Sequence, residues 1–205
     1  MYDDLLYNNL IYFENNIIPN VFVLHTKNGA IVIKAIKENF MHLVGAQHSP
    51  IIQNALPASL FYNNVKNKKM SLYSIVDKNN LNNRELTYVE NNIVNKNLFF
   101  VDIFESLIKC NANLYVYSRK TGYNNAFDCD YLHFVYKNYM GLYLGFVRDN
   151  KSDYHFFSSI IVEKDKPLKY LTNERIKITK KEIINIERFD INKLVLVSSK
   201  RNIHK

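Results

Sequence analysis

The stretch Lys37–Pro50, KENFMHLVGAQHSP, places His42 inside an apolar run, three residues before Gly45. An imidazole changes charge near neutral pH. A glycine lets backbone approach closely, so this pairing suits a titrating group at least as well as a filler of apolar space. The plainer reading is a histidine packed in a core or turn. Further along, Arg119 and Lys120 precede TGYNN, where a loop could carry phosphate ligands, and Arg148 closes the run LGFVR. His155 falls in the alternating run YHFFSSIIVE and could be a second acid or base. Each has a plainer counterpart in a solvated turn or strand face. What such residues could do together is cleave a phosphodiester without a metal. That chemistry needs a base near neutral pKa, an acid, and cations for the charge that develops on phosphorus.

The well-marked alternatives are absent. Neither G-x-G-x-x-G nor G-x-x-x-x-G-K occurs, and H-E-x-x-H, C-x-x-C and G-x-S-x-G are missing. No metal or cofactor is expected. Cys110 and Cys129 follow no ligand spacing and read as reduced thiols in a cytoplasmic protein. No apolar run approaches the ~20 residues of a membrane span, and the opening MYDDLLYNNL is not patterned as a signal peptide.

The elements that must position these residues are legible in the hydrophobic period. YDDLLYNNLIYFENNII has helical spacing and stops at Pro19. VFVLHTKNGAIVIKAI reads as a hairpin turning at Asn28-Gly29 in a type I′ turn, and it puts His42 at or just past a strand end. Residues 50–109 are helical in pattern. Leu56, Leu60, Phe61 and Val65 share one face, Ser71 caps a short helix, and Leu98, Val101, Phe104, Leu107 and Ile108 point inward. After Asn111 the period falls toward two, with turn-type clusters between the runs, as far as KLVLVSS. Strict alternation would let only one of Ser158 and Ser159 face a given side.

A single α+β domain follows: an N-terminal helix and hairpin over 1–48, a helical insert over 50–109, and an antiparallel sheet of four or more strands over 111–198 with the helices on one side. With 205 residues, 47% of them hydrophobic, the chain can build one sizeable core. The net charge is +8, and residues 164–205 hold 12 Lys+Arg against 5 Asp+Glu. A basic segment of that kind can attract a polyanion such as RNA, with Lys177, Lys180 and Lys181 as contacts. It is equally the composition of a solvated strand face.

FMHLVG, then LFYNNVKNKKMSLYSI, then Lys96 at the head of a helix, then LGFV and YHFFSSIIVEKD, resemble the phage-associated nuclease families of the Barnase/EndoU/colicin/RelE-like superfamily. The resemblance runs from about Ile31 to Ile186. It implies a small α+β fold with a curved antiparallel sheet, and RNA cleavage of phage, mobile-element or toxin type. It implies His42 as acid/base, with a late-strand serine and Lys96 or Arg148 on the phosphate. The family pattern has a proline or other small residue before the late Ser/Thr. Phe157 stands there in this chain, which leaves Ser158 and Ser159 both as candidates. The partners implied are RNA and an antitoxin or host protein. The alternative class is a non-catalytic interaction factor, an inhibitor of a host or defence protein with a nuclease-like fold. Acid/base groups converging in one groove would favour the enzyme, and a lone His42 in apolar surroundings would favour the binder.

Overall fold

A computed structural model describes residues 5–52, 56–76, 81–109, 113–117, 129–164 and 174–191. Helix α1 (Leu5–Tyr12) runs through a π turn (Phe13–Ile17) into strands β1 (Asn20–Thr26) and β2 (Gly29–Lys34). Helices α2 (Asn39–Leu43), α3 (Ala58–Lys66), α4 (Leu72–Ile75), α5 (Asn83–Val89), α6 (Asn95–Leu98) and α7 (Phe100–Lys109) follow. Strands β3 (Asn113–Val116), β4 (Tyr131–Lys137), β5 (Met140–Arg148), β6 (Tyr154–Lys164), β7 (Arg175–Ile176) and β8 (Ile178–Asn185) complete one curved, nearly closed sheet in the order β7-β3-β4-β5-β6-β2-β1-β8. The α+β class and the change of period near residue 111 agree with the sequence.

Two features of the sheet differ from expectation. It is mixed, because β2 runs parallel to β6 through Val32↔Tyr154, Ile33↔His155 and Lys34↔Phe156. The N-terminal hairpin is also part of this sheet, with β1 held between β2 and β8. Hairpin turns differ as well. β1 and β2 join through Lys27-Asn28 with Gly29 already in the ladder, and the two consecutive positive-φ residues of a type I′ turn are Asn138 and Tyr139, between β4 and β5. The last strand expected in KLVLVSS lies outside the described residues.

The main core lies between the helices and one face of the sheet. Phe13, Phe40, Phe100, Phe104 and Phe157 form a chain of ring contacts through its centre. Phe100, Ile103, Phe104 and Leu107 are the inward stripe of α7, whereas Val101 is exposed and Leu98 is 46% exposed. Leu60, expected on the inward face of α3, is also exposed, and Phe61, Tyr62 and Val65 carry that contact. Ser71 caps α4 as its sequence suggests, accepting from the Ser74 amide. Lys181, expected among the polyanion contacts, donates to the carbonyls of Leu107 and Ile108 at 2.8 and 2.6 Å and closes the C-terminus of α7. Lys180 pairs with Glu182 at 2.9 Å.

His133, on β4, is 1% exposed, with Nε2 2.7 Å from Ser106 Oγ. Burial holds its pKa down to about 4, against an ordinary 6.5. The unfolded chain therefore takes up this proton before the fold does, and stability falls as pH drops from 6.5 toward 4. The loss from this residue is about 3 kcal/mol. Denaturant unfolding at pH 7 and pH 4 measures it, and His133→Leu should lose that part of the slope. An unchanged slope in the variant would remove His133 as the cause.

Candidate functional site

His42 lies on the short helix α2, not at a strand end, and its side chain is exposed. α2 stops because Gly45 adopts φ +74°, a left-handed conformation that ends helices and favours glycine. Gly45 has a second task. A Cβ built on it would overlap the carbonyl oxygen of Asn92 and reach Lys96 Cδ at 3.0 Å. The lack of a side chain therefore lets the segment α5–α6 lie directly on the end of α2. That segment is one run of helix interrupted by a π turn at Glu90–Val94, a local widening often found beside functional sites.

A buried asparagine pair fixes the junction. Asn97 Nδ2 donates to the carbonyls of Val44 at 3.1 Å and Ile93 at 2.9 Å. Asn9 Nδ2 donates to the Asn97 carbonyl at 2.9 Å and to its Oδ1 at 3.1 Å. Both side chains are buried, so each bond replaces water that cannot reach them. Lys96, the preceding residue, is thereby held with its ammonium in the wall of a cavity of about 730 Å³.

The third wall is β6. Gly145 pairs with Ser159 but Phe146 pairs with Phe157, so Ser158 is the extra residue of a β-bulge. The bulge breaks the alternation on which the choice between the serines rested. Phe157 and Ile160 both enter the core, and both serines line the cavity. Their roles differ. Lys96 Nζ donates to Ser159 Oγ at 3.3 Å, while Ser158 lies over Gly145, where a Cβ would come within 2.6 Å of its Oγ.

Electrostatics set the protonation states. Lys96 is 4% exposed, and burial lowers its pKa to about 8. His42 is held below the usual histidine value by partial desolvation and then by the Lys96 charge, so it is a neutral base at pH 7. His48, which the sequence reading passed over, lines the same cavity and is pushed down to about 4 by desolvation, Lys96 and His42. Its Nδ1 lies 2.9 Å from the Tyr88 hydroxyl and its Nε2 3.2 Å from Gln47 Nε2. Tyr88, Asn92 and Glu163 line the same cavity. None of these carries a local motif. Only the spacing of His48 six residues after His42 is visible in the chain.

His42, Lys96, Ser158 and Ser159 are thus brought together, whereas Arg148 and His155 are not. These two face each other across β5 and β6 at the other end of the sheet and line a separate cavity of about 720 Å³. Four residues of strand, about 13 Å, separate His155 from Ser159. Arg148 pairs there with Asp153 at 3.1 Å, and His155 packs against Tyr131 with ring centroids 5.3 Å apart. Arg119 and Lys120 lie outside the described residues. Among the described residues no group of three or more His, Cys, Asp or Glu is placed to hold a metal ion, and no helix is long and apolar enough to cross a membrane. Comparison of the chain with protein-family models, with curated proteins and with solved structures finds no match.

Proposed function

We propose that the protein is a metal-independent endoribonuclease whose active site is the cavity between α2, the α5–α6 segment and β6. The observation that carries this reading is the convergence, from three separate elements, of a neutral imidazole, a buried ammonium and a serine hydroxyl. His42 removes the proton from a ribose 2′-OH, and the freed oxygen attacks the adjacent phosphorus. Lys96 and Ser159 hold the phosphate and offset the negative charge that grows on its oxygens. The products are a 2′,3′-cyclic phosphate and a 5′-hydroxyl. DNA is not a substrate because it lacks the nucleophile. An exposed His42 among polar and charged neighbours fits this role better than that of an interaction factor, for which apolar surroundings were expected.

The test is incubation of the protein with total RNA in EDTA. Cleavage should leave cyclic-phosphate ends, and His42→Ala should abolish it with little change in melting temperature, since the side chain is exposed. The pH profile of kcat/KM should rise on the acid side below 6.5, as His42 loses its proton. It should fall above about 8, as Lys96 loses its own. No cleavage of any RNA by the folded protein would discard the nuclease reading in favour of the interaction factor.

A further inference from the structure

Transesterification needs an acid as well as a base, because the departing 5′-oxygen must gain a proton. We infer that the Tyr88 hydroxyl, oriented by His48 and Gln47, is that acid. The inference rests on the nuclease reading. It starts from the chain of contacts Gln47 Nε2–His48 Nε2 and His48 Nδ1–Tyr88 Oη, at 3.2 and 2.9 Å.

The direction of the chain follows from one orphaned atom. Gln47 Oε1 is buried with no hydrogen-bond partner. Turning the amide would bury an unpaired N–H in its place, and orphaned N–H groups are rarer than under-satisfied carbonyl oxygens. The amide nitrogen therefore donates to His48 Nε2. His48 then carries its proton on Nδ1 and donates it to Tyr88 Oη. The tyrosine oxygen accepts, and its own proton is left for a group in the cavity. Neutral His48 suits this task, because it offers a donor to the phenolate that forms without first losing its own proton.

The titratable groups lining the cavity are His42 from α2, His48 from the turn after it, Tyr88 from α5, Lys96 from α6, and Glu163 and Lys164 from β6. Tyr88 is nearly half exposed, so its ring sits at the rim, where the departing 5′-hydroxyl fragment can exit. In the step, the 2′-O–P bond forms and the P–O5′ bond breaks. The 2′-OH proton passes to His42, and the Tyr88 proton passes to O5′. The phenolate is held by the Nδ1–H of His48 until solvent returns a proton, and His42 releases its proton to solvent. Tyr88 is the catalytic residue here and His48 a positioning residue.

A substrate with sulfur in place of the 5′-bridging oxygen separates the two roles, because a thiolate leaves without protonation. The probes are an oligoribonucleotide containing a linkage that the wild type cuts and the same oligomer with the 5′-bridging sulfur. Tyr88→Phe should lose about 10²–10⁴-fold on the oxygen substrate and stay within about tenfold of wild type on the sulfur substrate. His48→Ala should show the same pattern with a smaller loss, and His42→Ala should fail on both. Full activity of Tyr88→Phe on the oxygen substrate, or an equal loss on both, overturns the role of Tyr88 and leaves the nuclease reading intact. A wild type that cuts no RNA overturns the nuclease reading and this inference with it.

Discussion

Lys96→Met should give a protein that is more stable than the wild type at pH 7 and that cleaves RNA far more slowly. The ammonium is almost wholly buried, and its hydrogen bond to Ser159 does not restore what water would supply. Its pKa of about 8, against an ordinary 10.5, states the size of that deficit. At pH 7 it is up to ~3 kcal/mol, because the amine is charged in the folded and the unfolded chain alike. Methionine fills a similar volume without a charge, and Ser159 Oγ keeps the Ile160 carbonyl as acceptor at 3.2 Å. Between pH 8 and 10.5 the folded protein gives up the proton while the unfolded chain retains it. Wild-type stability therefore climbs through that window and the advantage of the variant disappears. Denaturant titrations of both proteins at pH 7, 9 and 10 measure the closing gap. Activity should fall by about 10²–10³-fold, the usual consequence of deleting one charged or polar group at a developing oxyanion. A variant no more stable than wild type at pH 7 would mean that the ammonium is better solvated than its burial indicates.

Gly45→Ala should be among the most damaging single substitutions in the chain. Alanine at φ +74° carries the cost of a left-handed residue, about 1–2 kcal/mol. The larger penalty is the collision of its Cβ with the Asn92 carbonyl, a backbone atom that cannot rotate away. The α5–α6 segment must retreat from α2, and the bond from Asn97 to Val44 is then lost. A total of about 4 kcal/mol or more places this substitution in the rare severe class. For a chain of this length that corresponds to a drop in Tm of roughly 10–15 °C. Cleavage should be lost even well below the new Tm, because the same retreat carries Lys96 away from Ser159. A normal Tm would show that the segment can shift without strain. A lowered Tm with normal cleavage would show that the spacing of α2 and α6 does not set the reaction.

The hydrophobic period carried the architecture because it reports burial residue by residue. It marked the helical insert, the switch to strands near 111 and the cap at Ser71. It failed where two elements meet. Nothing local announces that β2 lies parallel to β6, since that pairing depends on where the whole N-terminal hairpin docks. The bulge at Ser158 is invisible in a period of two, and strict alternation separates two serines that share one cavity in the fold. Arg148 and His155 are close to Ser159 in sequence, but the length of a strand carries them to another cavity. His48 and Tyr88 come together because α2 ends at Gly45 and α5–α6 folds back onto it. His42 stands out in the sequence by its place before Gly45 and Lys96 only through resemblance, while their protonation states follow from burial that only the packed structure defines.

The position of β1 between β2 and β8 has a consequence for synthesis. The first hairpin is complete at Lys34, but its two sheet neighbours, β6 and β8, end at residues 164 and 185. A ribosome adding ~5–20 residues per second takes roughly ten to thirty seconds to cover that distance. During that time the hairpin has an open edge on each side and the core has one unfinished wall. Ser159 is made 63 residues after Lys96, so the cavity lacks its third wall until β6 has been made, long after the two helical walls are in place.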